Sequence, residues 1–495
     1  MKKKLLPFLT LCLYALPTYA HNLPSFTLPD IVIYASGENV DTVVNAQQVN
    51  IGAAQTVPEL LRNTAGIQIQ ARPNAGGNED LTVKLRGHDS RHYTVLMDGI
   101  PQSMSGVMGG GYVNWNAIPL GMVERIEIIK GAKSAAYGQS EGGVINIITK
   151  KSADAGELQL TTGNNDRRQY IFNYGVQTDK LGFRVYANKS EQDAYLRNSD
   201  YDNEQTGINL NYKLSQTDSL RFNYDHQQLK RGLVIANNTS NFDSRYPISS
   251  GDTFANSNAA PEDGSYTKIY RNNFNVTWNS DRDNGSDSLT YWKNYEKQRE
   301  HNVNAGKVMF DRYNVTDKSS GVMYKGNAKV NAKHHLGYGV DYKRLRYGYG
   351  WYNSNATVTS NGETKPAGGA LYPSQKLDVW GAYIEDNWQI NDRWLTNIGL
   401  RYDKMKGDRD TAQATNIGSM NESALSPKLN VHFKNDERTT TSLGINRIWR
   451  APSMAEFYWH FSADAFARSA NLNPEKGWGY EASLAHQFND KLYSK

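Results

Sequence analysis

The sequence predicts a transmembrane antiparallel β-barrel preceded by a mixed α/β domain. Three observations carry this reading. From about residue 154 onward the chain repeats the period of two expected of a sheet with one apolar face. The joins between those strands alternate between short polar turns and long loops rich in Gly, Ser and Asn, the asymmetry of a barrel with a periplasmic and an outer end. Tyr outnumbers Phe, 31 to 14, which suits aromatic girdles at two membrane interfaces.

In chain order, the first element is a targeting segment. Lys2, Lys3 and Lys4 form a basic head, Leu5 to Pro17 is a short apolar run, and Thr18-Tyr19-Ala20 offers a cleavage point after Ala20. The run is short of the roughly 20 residues needed to span a bilayer. The single cysteine, Cys12, falls inside this leader. The mature chain therefore has neither a disulfide framework nor a thiolate metal site. Without the three leader lysines the formal charge of +5 drops to about +2, and no basic run marks a nucleic-acid partner. No long apolar run follows, which excludes a helical membrane protein but not a β-barrel.

Residues 37–153 form the α/β domain. "TVPELLRNTAGI" (56–67) predicts a short helix with Thr56 as cap, Glu59 three residues later and Gly66 as stop. "YTVLMDGI" (93–100), "VERIEIIKG" (123–131) and "VINIIT" (144–149) read as buried strands. The period then changes to two. "QYIFNYGV" sets Tyr170, Phe172, Tyr174 and Val176 on one face, and "HLGYGVDY" does the same with Leu336, Tyr338, Val340 and Tyr342. "WGAYIEDNWQI" and "KLNVHF" continue the pattern. Turns at "SQTD" (215–218), "NDR" (391–393) and "NDE" (435–437) contrast with long connections over 228–266 and 348–376. The spacing predicts about 14 strands. The final "GWGYEASLAHQFNDKLYSK" supplies the fourteenth, a turn at Asn489-Asp490, and a fifteenth beginning at Leu492.

Three stretches taken together carry a resemblance. They are "TVPELLRNTAGIQIQ" (56–70), "LTVKLRGHDSRHYTVLMDGIP" (81–101) and "GMVERIEIIKGAKSAAYGQSEGGVINIITK" (121–150). In order and spacing they resemble the plug domain of TonB-dependent outer-membrane receptors, and with the barrel-like remainder the resemblance covers nearly the whole mature chain. It implies a plug in the barrel lumen, residence in the cell outer membrane, and energised uptake of an iron–siderophore complex. Haem or another metal chelate is the alternative ligand. A passive pore or surface adhesin, and a non-functional remnant of a receptor, are the alternative functions.

The resemblance also implies sites. Asp30, Ile31, Val32, Ile33, Tyr34 and Ala35, in the segment 21–36, resemble the TonB box, an extended stretch that an inner-membrane TonB-type protein pairs with by strand addition. The short distance from Ala20 to Asp30 leaves no room for a signalling domain, so transport without transcriptional signalling is expected. Arg86 and Lys130 fall at the family's basic plug positions, with Glu385 and Glu481 as lumen-facing partners. Lys130 stands where the family usually has Arg, and Lys cannot form the bidentate fork. Outward ligand contacts are expected from plug apices at 72–80 and 102–115, with Met104, Met108, Tyr112 and Trp115 as candidates. His460, between "RAPS" and "NPEK", is a candidate haem ligand. Outer-membrane lipid and an iron chelate complete the partners. No G-x-S-x-G follows a strand, and no nucleotide loop is present, so no enzyme activity, resident cofactor or metal site is expected. Against about 22 strands in a plugged transporter, the span 154–495 is expected to be a partial, C-terminally truncated barrel.

Overall fold

The computed structural model describes residues 40–46, 54, 56–71, 81–102, 113–151, 155–240, 242–249, 262–304, 307–348, 351–353, 358–360, 363–365, 369–370, 375–409, 420–453, 456, 472–489 and 492–494. The predicted leader lies outside them.

The N-terminal domain contains β1 (Thr42–Asn45), a one-turn helix α1 (Val57–Leu60), β2 (Ile67–Ala71), β3 (Leu81–Leu85), β4 (Tyr93–Met97), β5 (Ile100–Pro101), β6 (Val123–Lys130) and β7 (Gly143–Thr149). Five of these form a sheet in the order β1-β6-β7-β4-β5, and β2 and β3 form a separate hairpin. β7 is the central strand. It runs antiparallel to β6 and parallel to β4. That explains why its run is β-branched on both faces, because a strand covered on both sides has no solvent face; the one break, Asn146, is buried and accepts the Gly99 amide at 3.2 Å. Val144, Ile145 and Ile147 are buried with Ile126, Ile128 and Val95, each stabilising the fold by roughly 1.5–3 kcal/mol. The predicted helix is shorter than expected. It begins after Thr56, whose hydroxyl makes no cap bond, with Pro58 in its first turn. It gives way after one turn to bonds from the Thr64 amide to Leu61 and from the Ile67 amide to Thr64.

The rest is sheet. β8 (Ala155–Gly163), β9 (Arg167–Gln177), β10 (Leu181–Gln192), β11 (Tyr201–Lys213), β12 (Asp218–Gly232), β13 (Tyr266–Arg282) and β14 (Gly285–Asn304) join by successive antiparallel pairings. β15 (Lys307–Asp317) and β16 (Ser320–Lys329) share one place in the wall. The former pairs with Glu296–Asn304 of β14, the latter with its first half from Gly285 to Lys293. β17 (His334–Gly348) follows, then four short strands, β18 (Trp351–Asn353) to β21 (Gly369–Ala370), within its long connection to β22 (Gln375–Asn391). β23 (Trp394–Arg409), β24 (Met420–Lys434), β25 (Thr439–Arg450), β26 (Glu475–Asn489) and the three-residue β27 (Leu492–Ser494) complete the series. Among the described residues this makes fourteen long wall positions and a short fifteenth. The strand order brings β27 beside β8.

The wall alternates as a membrane barrel must. Leu158, Leu160, Ile384, Leu425, Leu443, Tyr480 and Leu484 face outward and are exposed. Asn397, Arg401, Asn430 and Asn446 face inward and are buried. Ring pairs His334–Trp388 and Trp394–Phe433, with centroids 5.6 and 4.5 Å apart, stand beside the short turns. Inward polarity without water demands partners, and the N-terminal domain in the lumen supplies them.

Candidate functional site

Among the described residues, three places on the domain–wall interface show how it is built, and a further cluster joins the two toward the long loops. The first is the Arg86 junction. Arg86 follows β3 with φ +54°, and its amide donates to the Gly66 carbonyl at 2.7 Å. That turn presents the guanidinium to Glu481 on β26, and the two form an ion pair. Gly131, at φ +84°, passes so close that a Cβ there would meet Glu481 and stand 2.7 Å from Arg86 Nη1. The lysine beside this pair is Lys133, not the expected Lys130. Lys133 Nζ is 2.9 Å from Asp41 and 3.9 Å from Glu481. Lys130 contributes its backbone amide, which donates to Asp41 at 2.8 Å.

The second place is the segment after β6. Glu385 is 1 % exposed. Its Oε2 accepts the Ser134 hydroxyl at 3.0 Å and the Ala135 amide at 2.9 Å. Asn430 donates to the Lys133 carbonyl at 2.9 Å. Alongside, Arg401 is held by Asp341 and Asp403, each at 2.8 Å. Tyr137 lies below Lys325, 5.4 Å from ring centroid to ammonium, and burial pushes its phenol well above the usual value.

The third place is one carbonyl. The oxygen of Asn116 accepts amides from Gln205 and Gln227, both at 2.7 Å, and from Asn203 at 3.3 Å. Each such bond contributes roughly 0.5–1.5 kcal/mol. The arrangement can therefore hold the domain firmly through contacts that are individually weak and reversible.

The fourth cluster lies between the start of β4 and the connection from β25 to β26. Asp89 bonds Arg91 at 2.8 Å and His92 Nδ1 at 2.9 Å. Arg91 reaches Glu456 at 3.1 Å, and Arg450 holds Glu456 and Glu475. Burial opposes charge on Asp89, but the bonds from Arg91 and His92 outweigh it and hold the carboxyl well below its usual range. Burial, with His92 and Arg86 nearby, lowers the His88 imidazole.

Of the expected ligand contacts, Trp115 is placed in the core. It opens a short 3-10 turn over Trp115–Ala117 and is buried with Val57, Leu60 and Ile118. It presents no aromatic surface outward, because its ring fills the space beside α1. Met104, Met108, Tyr112, His460 and the whole stretch Asp30, Ile31, Val32, Ile33, Tyr34, Ala35 lie outside the described residues. The sequence reading missed Asp41, Lys133 and Asn116. Lys133 was within reach, three residues after Lys130 across a glycine turn. A carbonyl hub has no side-chain signature to find.

Comparison with known proteins gives two family matches. Residues 36–145 match the TonB-dependent Receptor Plug Domain, and residues 152–494 match the TonB dependent receptor-like beta-barrel. The chain is 28% identical over 445 residues to the ferric enterobactin receptor of Pseudomonas aeruginosa, with 80% of this chain and 56% of that protein covered. It is 23% identical over 495 residues to the ferrienterobactin receptor of Escherichia coli K12, covering 86% and 61%. Thus it spans somewhat more than half the length of these relatives. The unliganded ferric citrate transporter FecA is similar in fold, with a TM-score of 0.72 at 14% identity, covering 90% of this chain and 67% of that one.

Proposed function

The chain belongs to the TonB-dependent receptor family, and on that premise we propose that it is an outer-membrane receptor for energised uptake of an iron–siderophore complex. One observation carries the energised part of the reading. The plug is seated through the Asn116 carbonyl, the Glu385 carboxylate and the Arg86–Glu481 pair. A plug held to the wall by these contacts must be shifted against them to let a ligand through, and on this reading the work comes from outside. No nucleotide-binding loop is present to supply it. A TonB-type protein gripping Asp30–Ala35 by strand addition is the natural source. The siderophore part is supported by the two relatives named for ferric enterobactin.

The test is growth of an iron-starved host, deleted for its own ferric enterobactin receptors, with ferric enterobactin as sole iron source. The chain is expected to restore growth. Ile33→Pro is expected to abolish growth while leaving ferric enterobactin binding to whole cells intact. Equal growth of the variant would overturn energised uptake, and absence of binding by the parent chain would overturn the siderophore.

A further inference from the structure

We infer that His92 and Glu141 of the plug and Glu475 of the barrel form a binding site for a divalent transition-metal ion, zinc-like in its ligand preferences, that bridges the two domains. One donor atom from each of the three lies within 4.8 Å of the other two. The topology places them together. β4 and β7 are parallel neighbours with Tyr93 opposite Gly143, so His92 and Glu141 stand side by side just ahead of those strands. The Gly142 amide donates to the His92 carbonyl at 2.8 Å and fixes that approach. Glu475 is the first residue of β26 and meets them from the wall.

The donor set is prepared for a metal. Asp89 accepts from His92 Nδ1 at 2.9 Å, which sets the tautomer and turns the Nε2 lone pair toward the carboxylates. A carboxylate behind a ligating imidazole is the usual outer support of a metal site. His92 Nε2 is 3.3 Å from Glu475 Oε2. Ligands about 2.1 Å from a tetrahedral ion stand about 3.4 Å apart, so that edge already has the required length. Glu141 closes the set with a side-chain movement of about 1 Å or a little more. Arg450 grips Glu475 through its other oxygen, Oε1, which orients the carboxylate and leaves Oε2 to the ion. Imidazole with two carboxylates suits zinc, copper or nickel over calcium or magnesium. Three protein donors leave a fourth position open to water or to a donor on an incoming ligand. His88, with its ring centroid 5.7 Å from that of His92, lines the same edge.

The inference is independent of the siderophore reading, and its probe is the metal alone. The full chain, folded in detergent, is titrated with Zn2+ by calorimetry, and Co2+ absorption reports coordination geometry. One Zn2+ per chain is expected. His92→Gln and Glu141→Gln should each weaken binding at least tenfold, and Asp89→Asn should weaken it roughly tenfold through the imidazole it positions. Heat-modifiable gel migration verifies folding. Should His92→Gln fail to fold, the near-isosteric Glu141→Gln decides. No Zn2+ binding by the parent chain, or unchanged binding in Glu141→Gln, overturns the site.

Discussion

Glu385 and Ala135, 250 residues apart in sequence, are joined by a hydrogen bond of 2.9 Å from the plug amide to the barrel carboxylate. The same oxygen accepts the Ser134 hydroxyl at 3.0 Å. One wall side chain therefore satisfies two buried donors. Glu385→Ala leaves both without their acceptor and is expected to weaken plug retention by about 1–3 kcal/mol. Glu385→Gln keeps an acceptor oxygen and should lose less. Single-channel conductance against urea concentration measures this, with Glu385→Ala opening at the lowest urea. Equal opening of all three proteins would remove Glu385 from plug retention.

Gly131 allows the Arg86–Glu481 pair to form. Its φ of +84° and the closeness of both partners leave no room for a Cβ. Gly131→Ala should destabilise by about 1–3 kcal/mol through backbone strain and displaced side chains. Gly477→Ala, where a Cβ meets nothing within 4 Å, should stay within about 0.5 kcal/mol. Thermal unfolding of the two variants in the same detergent makes the comparison.

Leu443 faces lipid on β25. Leu443→Arg should cost about 2 kcal/mol of insertion free energy, whereas Glu437→Arg, in the exposed turn before that strand, should be near neutral. Folding yield into lipid vesicles, followed by gel migration, distinguishes them.

Asp89 makes a pH prediction whose sign follows from its depressed carboxyl value. A group ionised more readily in the folded state adds stability above its unfolded value, here the usual 3.8, and loses it as pH falls through the folded value. Parent protein should therefore exceed Asp89→Asn in stability above about pH 4. That advantage should shrink steadily as the pH is lowered further. Unfolding temperature measured as a function of pH for the pair tests it, and a constant difference would show that the Asp89 charge is not used.

Much of this architecture was legible because its signals are local. Alternation at Leu336, Tyr338, Val340 and Tyr342 needs only a sheet with lipid on one side. The β-branched run at 144–149 needs only a strand covered on both faces. The readings that changed depended on distant contacts. A capping pattern at Thr56 and Glu59 marks where a helix can start, but its length was set by the need to enter β2. An aromatic at 115 shows no facing direction in sequence, and its ring turned to the core beside α1. The family resemblance assigned Lys130 to the wall, but the lysine that stands beside Glu481 is Lys133, across the turn at Gly131. The grouping of His92, Glu141 and Glu475 required knowing that β4 and β7 run parallel.

β1 pairs at the sheet edge over only four residues, from Thr42 opposite Ile128 to Asn45 opposite Arg125. Immediately ahead of it, Asp41 holds the Lys130 amide and the Lys133 ammonium, and Lys133 stands beside Glu481. These elements are connected in series. Tension entering the chain ahead of Val40 loads Asp41 before it reaches any strand of the plug sheet. Under the energised reading proposed above, Asp41 is expected to act as a mechanical fuse: its yielding would free Lys133 from its place beside the barrel carboxylate and expose the short edge strand to peeling one residue at a time.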